Sequence, residues 1–195
     1  MARIKSALEI ALERTDSVKG DRDSLEQFEL KREGKRIGGT FLEDPVEHPI
    51  EAELKKHPKD KQPSVRRGAY EVLSAQISLP MVKEDLAKLE TVGKGLSVVI
   101  GDKKVAVLFQ GLLQAMTQYL SDAAQYDKAI QQQFAPKLRQ KEEELARRTG
   151  RRVQIDPFQD PEFIAFYNQN MGVLKDKYQG AIDQTKEQLA EYFGD

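Results

Sequence analysis

Phe163, Tyr167, Met171, Leu174, Tyr178, Ile182, Thr185, Leu189 and Tyr192 follow one another at steps of 4, 4, 3, 4, 4, 3, 4 and 3 residues. Steps that alternate between three and four line up on one stripe of an α-helix, and a stripe sustained this long has to be covered by a second helix. A strand, with its period of two, has no use for the pattern. Asp160 and Pro161, just ahead of the seam, have the chemistry of an N-cap and a first helical residue, so the spacing predicts a helix over 161–193. Seven of the fourteen aromatic residues lie between Phe158 and Phe193, which makes this helix a main supplier of core.

The covering element is sought upstream. Leu113, Met116, Leu120, Ala123, Ile130, Phe134 and Leu138 also step by threes and fours, interrupted by Asp127. They predict a helix over 110–149, roughly 60 Å long at the usual rise per residue. Pro136 lies inside it and, lacking an N–H, is expected to kink or break it. Arg147, Arg148 and Gly150 read as its stop. About ten residues then connect the two helices, a length that suits an antiparallel, coiled-coil-like hairpin with its tip near 149–160. Residues 137–152 carry net charge +4 and residues 153–195 carry −5, so the two arms have opposite fields. Tyr126, Phe134, Phe166 and Phe193 are expected off the main contact, to be covered by N-terminal helices or by a second copy of the chain.

The reading is therefore a mainly α chain with an N-terminal helical region over 1–95 and the long hairpin over 96–195. In the first part Ile4, Ala7, Leu8, Ala11, Leu12 and Thr15 make a narrow helical stripe that Gly20 is expected to end. Asp23 and Glu26 suggest a capped second segment leading to Phe28 and Leu30. The glycines of GKRIGGTFLEDP, residues 34–45, predict irregular backbone or a weak hairpin. Residues 44–63 hold four of the eight prolines, with Asp44 and Pro45 opening a short helix bearing Val46, Ile50 and Leu54. Ser64 starts a helix that Pro80 closes, and Val82, Leu86 and Leu89 belong to the next. Residues 95–109 admit two readings. One is a β-hairpin across Gly101-Asp102; the other, favoured by the helical patterns on both sides, is two helices broken at Gly101.

Chemistry is scarce. With no cysteine there is no disulfide, thiolate ligand or thiol nucleophile. The two histidines, His48 and His57, stand nine residues apart and do not match a helical zinc pair. Gly34 to Gly39 has the interval of a phosphate-binding loop, but Thr40 and Phe41 occupy the places of its lysine and hydroxyl residue. Glu142, Glu143 and Glu144 read as a solvated face. Asp127 on the apolar stripe reads as a register-fixing polar residue, and no metal role is assigned to it, to Asp122 or to Asp183. No catalytic, cofactor-binding or metal-ligating residue is assigned, and no small-molecule ligand is evident. The opening residues lack the apolar stretch of a signal peptide and no apolar run is long enough to span a membrane, so a cytoplasmic protein is expected.

Two contact elements remain. One is the helix seam of Phe163, Tyr167, Met171, Leu174, Tyr178, Ile182 and Leu189. The other is Arg147, Arg148, Arg151 and Arg152 at the tip, four guanidiniums within six residues. These would either cap the helix and pair with Asp156, Asp160 or nearby glutamates, or hold phosphate oxygens. The expected function is a non-catalytic interaction or scaffold protein that binds a protein partner or itself; the alternative is a nucleic-acid- or ribosome-associated factor using the basic tip.

Overall fold

A computed structural model describes residues 7–194, with side chains from Asp23 onward. The chain is mainly helical, and the described residues form six α-helices: α1 (Ala7–Glu43), α2 (Ile50–Lys55), α3 (Gln62–Ala75), α4 (Glu84–Ile100), α5 (Lys104–Thr149) and α6 (Pro161–Phe193), with a short 3-10 turn at Pro157–Gln159. No strand occurs among the described residues. Two compact units emerge: residues up to 76 together with 91–105, and 77–90 together with 106 onward.

In the first unit the local expectations are corrected most. The helix runs on through Gly20, through Asp23 and Glu26, and through the glycine-rich stretch to Glu43. The side-chain stripe expected over 3–17 lies outside the described side chains. Glycines at 34, 38 and 68 are packing residues here. A Cβ on Gly34 would stand 1.9 Å from the Val65 carbonyl oxygen, and one on Gly68 would stand 1.9 Å from that of Lys31. The two helices therefore touch backbone to backbone, with Cα hydrogens aimed at carbonyls across the contact. A helical glycine costs only about 1 kcal/mol, which the packing of Ile37 and Phe41 near Val65, Ala69 and Leu73 outweighs. The phosphate-loop geometry, the irregular loop and the weak hairpin are excluded together, because the segment is helix.

The short helix begins at Ile50, after Pro49, rather than at Pro45. Asp44 instead stabilises a turn by accepting from the Val46 and Glu47 amides at 2.9 Å, and Val46 is exposed. Pro63 sits in the first turn of α3, which starts at Gln62 rather than Ser64. The β-hairpin considered for 95–109 is overturned. Gly101 adopts the left-handed φ of 79° between two helices, and Leu96, Val99, Val105 and Phe109 are buried at helical spacing. Arg66 closes the carboxyl end of α4 by donating from Nη1 to the carbonyls of Val98 and Val99, at 2.9 and 2.8 Å.

In the second unit α5 and α6 run antiparallel. Tyr119 and Asp122 meet Tyr178, Phe134 meets Phe163, and Lys141 meets Asp160, so the order along one helix reverses along the other. On α6, Phe163, Met171, Leu174, Tyr178, Ile182, Thr185 and Leu189 are buried. On α5 the seam uses Phe109, Leu112, Met116, Tyr119, Ile130, Phe134 and Leu138; the expected Leu113 and Leu120 lie half-buried at its edge. Phe134, expected off the contact, packs against Phe163 and Phe166 at ring separations of 5.4 and 5.6 Å. Helix α5 continues through Pro136 without a break. Val82, assigned to a helix by pattern, is exposed ahead of α4.

Candidate functional site

The end of the second unit where α5 turns back is built by short-range rules. Thr149 Oγ1 donates to the Leu145 carbonyl at 2.7 Å, and Gly150 takes a left-handed φ of 69° to leave the helix. The returning backbone is pinned to α5 by Glu142, whose Oε1 accepts the Ile155 amide at 2.8 Å. Asp156 accepts the Phe158 amide at 3.0 Å and opens the 3-10 turn. Asp160 then caps α6, accepting from the Glu162 and Phe163 amides at 2.9 and 3.0 Å.

Lys141 locks this cap. Its Nζ lies 2.6 Å from Asp160 and 2.8 Å from Glu162, and Lys137 adds a 3.0 Å contact to Glu162. The Lys141 ammonium and the Phe163 amide hold the Asp160 carboxyl below its ordinary range, and the same carboxylate, with Glu162, pushes Lys141 up. Phe158 is 52% exposed. Phe163 and Tyr167 hold its ring edge-on, with centroids 5.2 and 5.4 Å away.

These bonds decide the state of the four arginines. Most of the acidic residues expected to pair with them serve elsewhere: Asp156 and Asp160 as caps, Glu142 on a backbone amide, Glu162 on two lysines. Arg147 lies at 4.0 Å from Glu143, with its side chain 81% exposed. Among the described residues Arg148, Arg151 and Arg152 have no carboxylate within ion-pair distance, and all three are exposed. The structure thus brings the four together on one turn and leaves their donors outward. The seam residues point the other way, into the interior; of the seven, Tyr167 is half-buried and the rest buried.

Farther along, α5 and α6 enclose polar groups. Tyr178 donates its hydroxyl to Asp122 at 2.6 Å, and Gln118 donates to the same carboxylate at 2.6 Å. The Asp122 carboxylate and burial raise the Tyr178 phenol to about 12. Burial, and then Asp127, raise Tyr167. Gln131 donates to Asp127 and Gln179 to Asp183. These aspartates are hydrogen-bonded along the pair of helices, and no group of three or more His, Cys, Asp or Glu among the described residues could hold a metal ion. Both histidines belong to the first unit: His48 is exposed and the His57 carbonyl accepts from Gln62.

An open groove of about 340 Å³ lies between α5 and α6, lined by Val107, Gly111 and Ala115 on one side and Ala181, Gln184 and Gln188 on the other. Val107, on its wall, is 71% exposed. Sequence reasoning passed over this groove, because small residues in a polar helix carry little hydropathy. The available signal was Gly111, a glycine placed mid-helix with nothing within 4 Å of where its Cβ would be. It also passed over Lys141 and read Glu142 as part of a solvated face, because the neighbours of both arise only when the chain turns back.

No helix among the described residues is long and apolar enough to cross a membrane. No curated protein and no solved structure matches the chain. A family model described as a family of unknown function (DUF6657) matches residues 51–191, a span that takes in the tip and nearly all of α5 and α6. By that match the chain belongs to the DUF6657 family.

Proposed function

We propose that this chain is a non-catalytic helical interaction protein of the cytoplasm that associates with a second copy of itself, in coiled-coil-like fashion, through the outer face of α5 and α6. The observation that carries the reading is the knob of Val107 beside the recess over Gly111, Ala115 and Ala181. A two-fold interface requires a patch that is complementary to itself, so that one copy's protrusion fills the other's recess and the reverse. A protrusion next to a recess on one face satisfies that requirement. Glycine and alanine in the recess let a partner side chain approach the backbone of both helices.

Burying both Val107 side chains contributes about 3 kcal/mol, one part of the roughly 4–8 kcal/mol that a millimolar-to-micromolar dimer requires, with the rest of the α5 and α6 face supplying the remainder. Sedimentation equilibrium of the full chain from micromolar to submillimolar concentration should show the mass rising from monomer toward dimer. Val107→Glu places a charge on the knob and should hold the mass at monomer with the helical content unchanged. A native chain that stays monomeric across the range would overturn the reading.

A further inference from the structure

We propose that the tip formed by Arg147, Arg148, Arg151, Arg152 and Phe158 is a docking surface for unpaired nucleic acid, with the guanidiniums on phosphates and the phenyl ring under a base. This goes beyond self-association and does not depend on it. Asp156, Asp160, Glu142 and Glu162 are engaged by backbone amides and by Lys137 and Lys141, so among the described residues Arg148, Arg151 and Arg152 have no carboxylate within ion-pair distance and Arg147 has only Glu143, at 4.0 Å. Guanidinium offers phosphate two parallel donors in a plane, which makes an arginine cluster better suited to phosphodiester oxygens than a lysine cluster of equal charge.

Phe158 selects among the polyanions. Edge contacts with Phe163 and Tyr167 fix its ring at the start of α6 while about half of it stays open. A fixed, exposed ring on the same turn-back as the cations is a stacking platform for a base farther along a bound strand, and it acts on bases that are not paired in a duplex. An acidic peptide offers the ring no flat partner. An anionic membrane would be met by a broad apolar face, whereas Val153 and Phe158 are the exposed large apolar residues of the turn between Arg148 and Pro161.

The test uses the full-length protein and fluorescent twenty-residue oligouridylate and oligothymidylate, with a duplex of equal length, polyglutamate and phosphatidylserine vesicles as competing probes. The single strands should bind best. If four phosphates are neutralised, raising salt from 50 to 200 mM weakens binding about 50-fold. Replacing all four arginines with alanine should abolish binding and flatten the salt dependence, while sedimentation still reports the native association; replacing them with lysine should keep the salt slope at lower affinity. Phe158→Leu should erase the preference for single strand over duplex. The proposal is overturned by failure of both oligonucleotides to bind at 50 mM salt, by binding that survives the four alanines, or by tighter binding of polyglutamate or vesicles, which would assign the tip to an acidic protein or to a membrane instead.

Discussion

Gly34→Ala sets two effects of opposite sign against each other. Alanine is better than glycine within a helix by about 1 kcal/mol, so a change that met nothing would stabilise the protein. In this structure the new methyl would lie 1.9 Å from the Val65 carbonyl oxygen and 3.0 Å from the Ala69 nitrogen, both backbone atoms that cannot swing aside. To restore an ordinary C···O separation, α1 and α3 must move apart by roughly 1.4 Å. A gap of 0.5–1 Å already forfeits about a quarter to a half of each dispersion contact across it. The strain of inserting a methyl group into a filled contact is about 1–3 kcal/mol, and the loosening of Ile37, Phe41, Val65 and Leu73 adds to it. The net expectation is destabilisation by about 1–3 kcal/mol, a fall in Tm of roughly 2–12 °C for a chain of this size. Gly39→Ala is the control on the same helix, because its Cβ would meet nothing within 4 Å. It should raise Tm by roughly 2–4 °C. Thermal unfolding followed by circular dichroism reads both. Equal rises for Gly34→Ala and Gly39→Ala would refute the close contact between the helices.

The remaining predictions concern α5 and α6. Asp160 is held below its ordinary pKa of 3.8 by Lys141 and by the Phe163 amide, so its stabilising effect is present above that value and is lost as pH falls through the folded-state pKa. Asp160→Asn should therefore lower Tm at pH 7 and shrink the difference from the native chain in acid, as measured by thermal scans from pH 7 to 2.5. Tyr178 has the opposite sign: with its phenol raised from 10 to about 12, its contribution is full below pH 10 and disappears as pH rises through 12. Spectrophotometric titration at 295 nm should show a tyrosine ionising near pH 12 in the native chain, besides the raised Tyr119 and Tyr167, and this step should be absent from Tyr178→Phe and shifted earlier in Asp122→Asn.

Legibility followed the range of the interaction. Helix α6 was readable because its spacing, its Asp160 cap and its Pro161 start are local, and the structure returns the same limits, Pro161–Phe193. Gly150 and Gly101 were readable as breaks because each needs a positive φ that glycine supplies. Gly20, Gly34 and Gly38 were misread by the same rule: a local penalty near 1 kcal/mol is overridden when the rest of the segment propagates as helix, and at 34 and 38 a neighbouring helix occupies the space a side chain would take. On α5 the stripe was assigned to Leu113 and Leu120, although the true seam turns slightly to bury Leu112 and Tyr119, where the Tyr119 ring packs tilted against Tyr178. Pro136 was expected to interrupt a helix whose two sides are both anchored, by Phe134 and Leu138, to one seam.

The candidate site divides in the same way. The four arginines were legible as a cluster, but their freedom was not. It depends on Glu142 finding the Ile155 amide and Asp160 finding Lys141, pairings across thirteen and nineteen residues that only the turn-back creates. The groove at Gly111 and Ala181 required two helices to be in register before it existed at all.

The central claim is self-association by a knob and a recess, and the absence of native cysteine makes a direct test clean. Single-cysteine chains Val107→Cys and Ala115→Cys are mixed, oxidised under mild conditions and resolved by non-reducing electrophoresis. The account predicts a covalent dimer that forms from the mixture faster than from either chain mixed with a Lys175→Cys control. Cross-linking of the Val107–Ala115 mixture no faster than that control would contradict it.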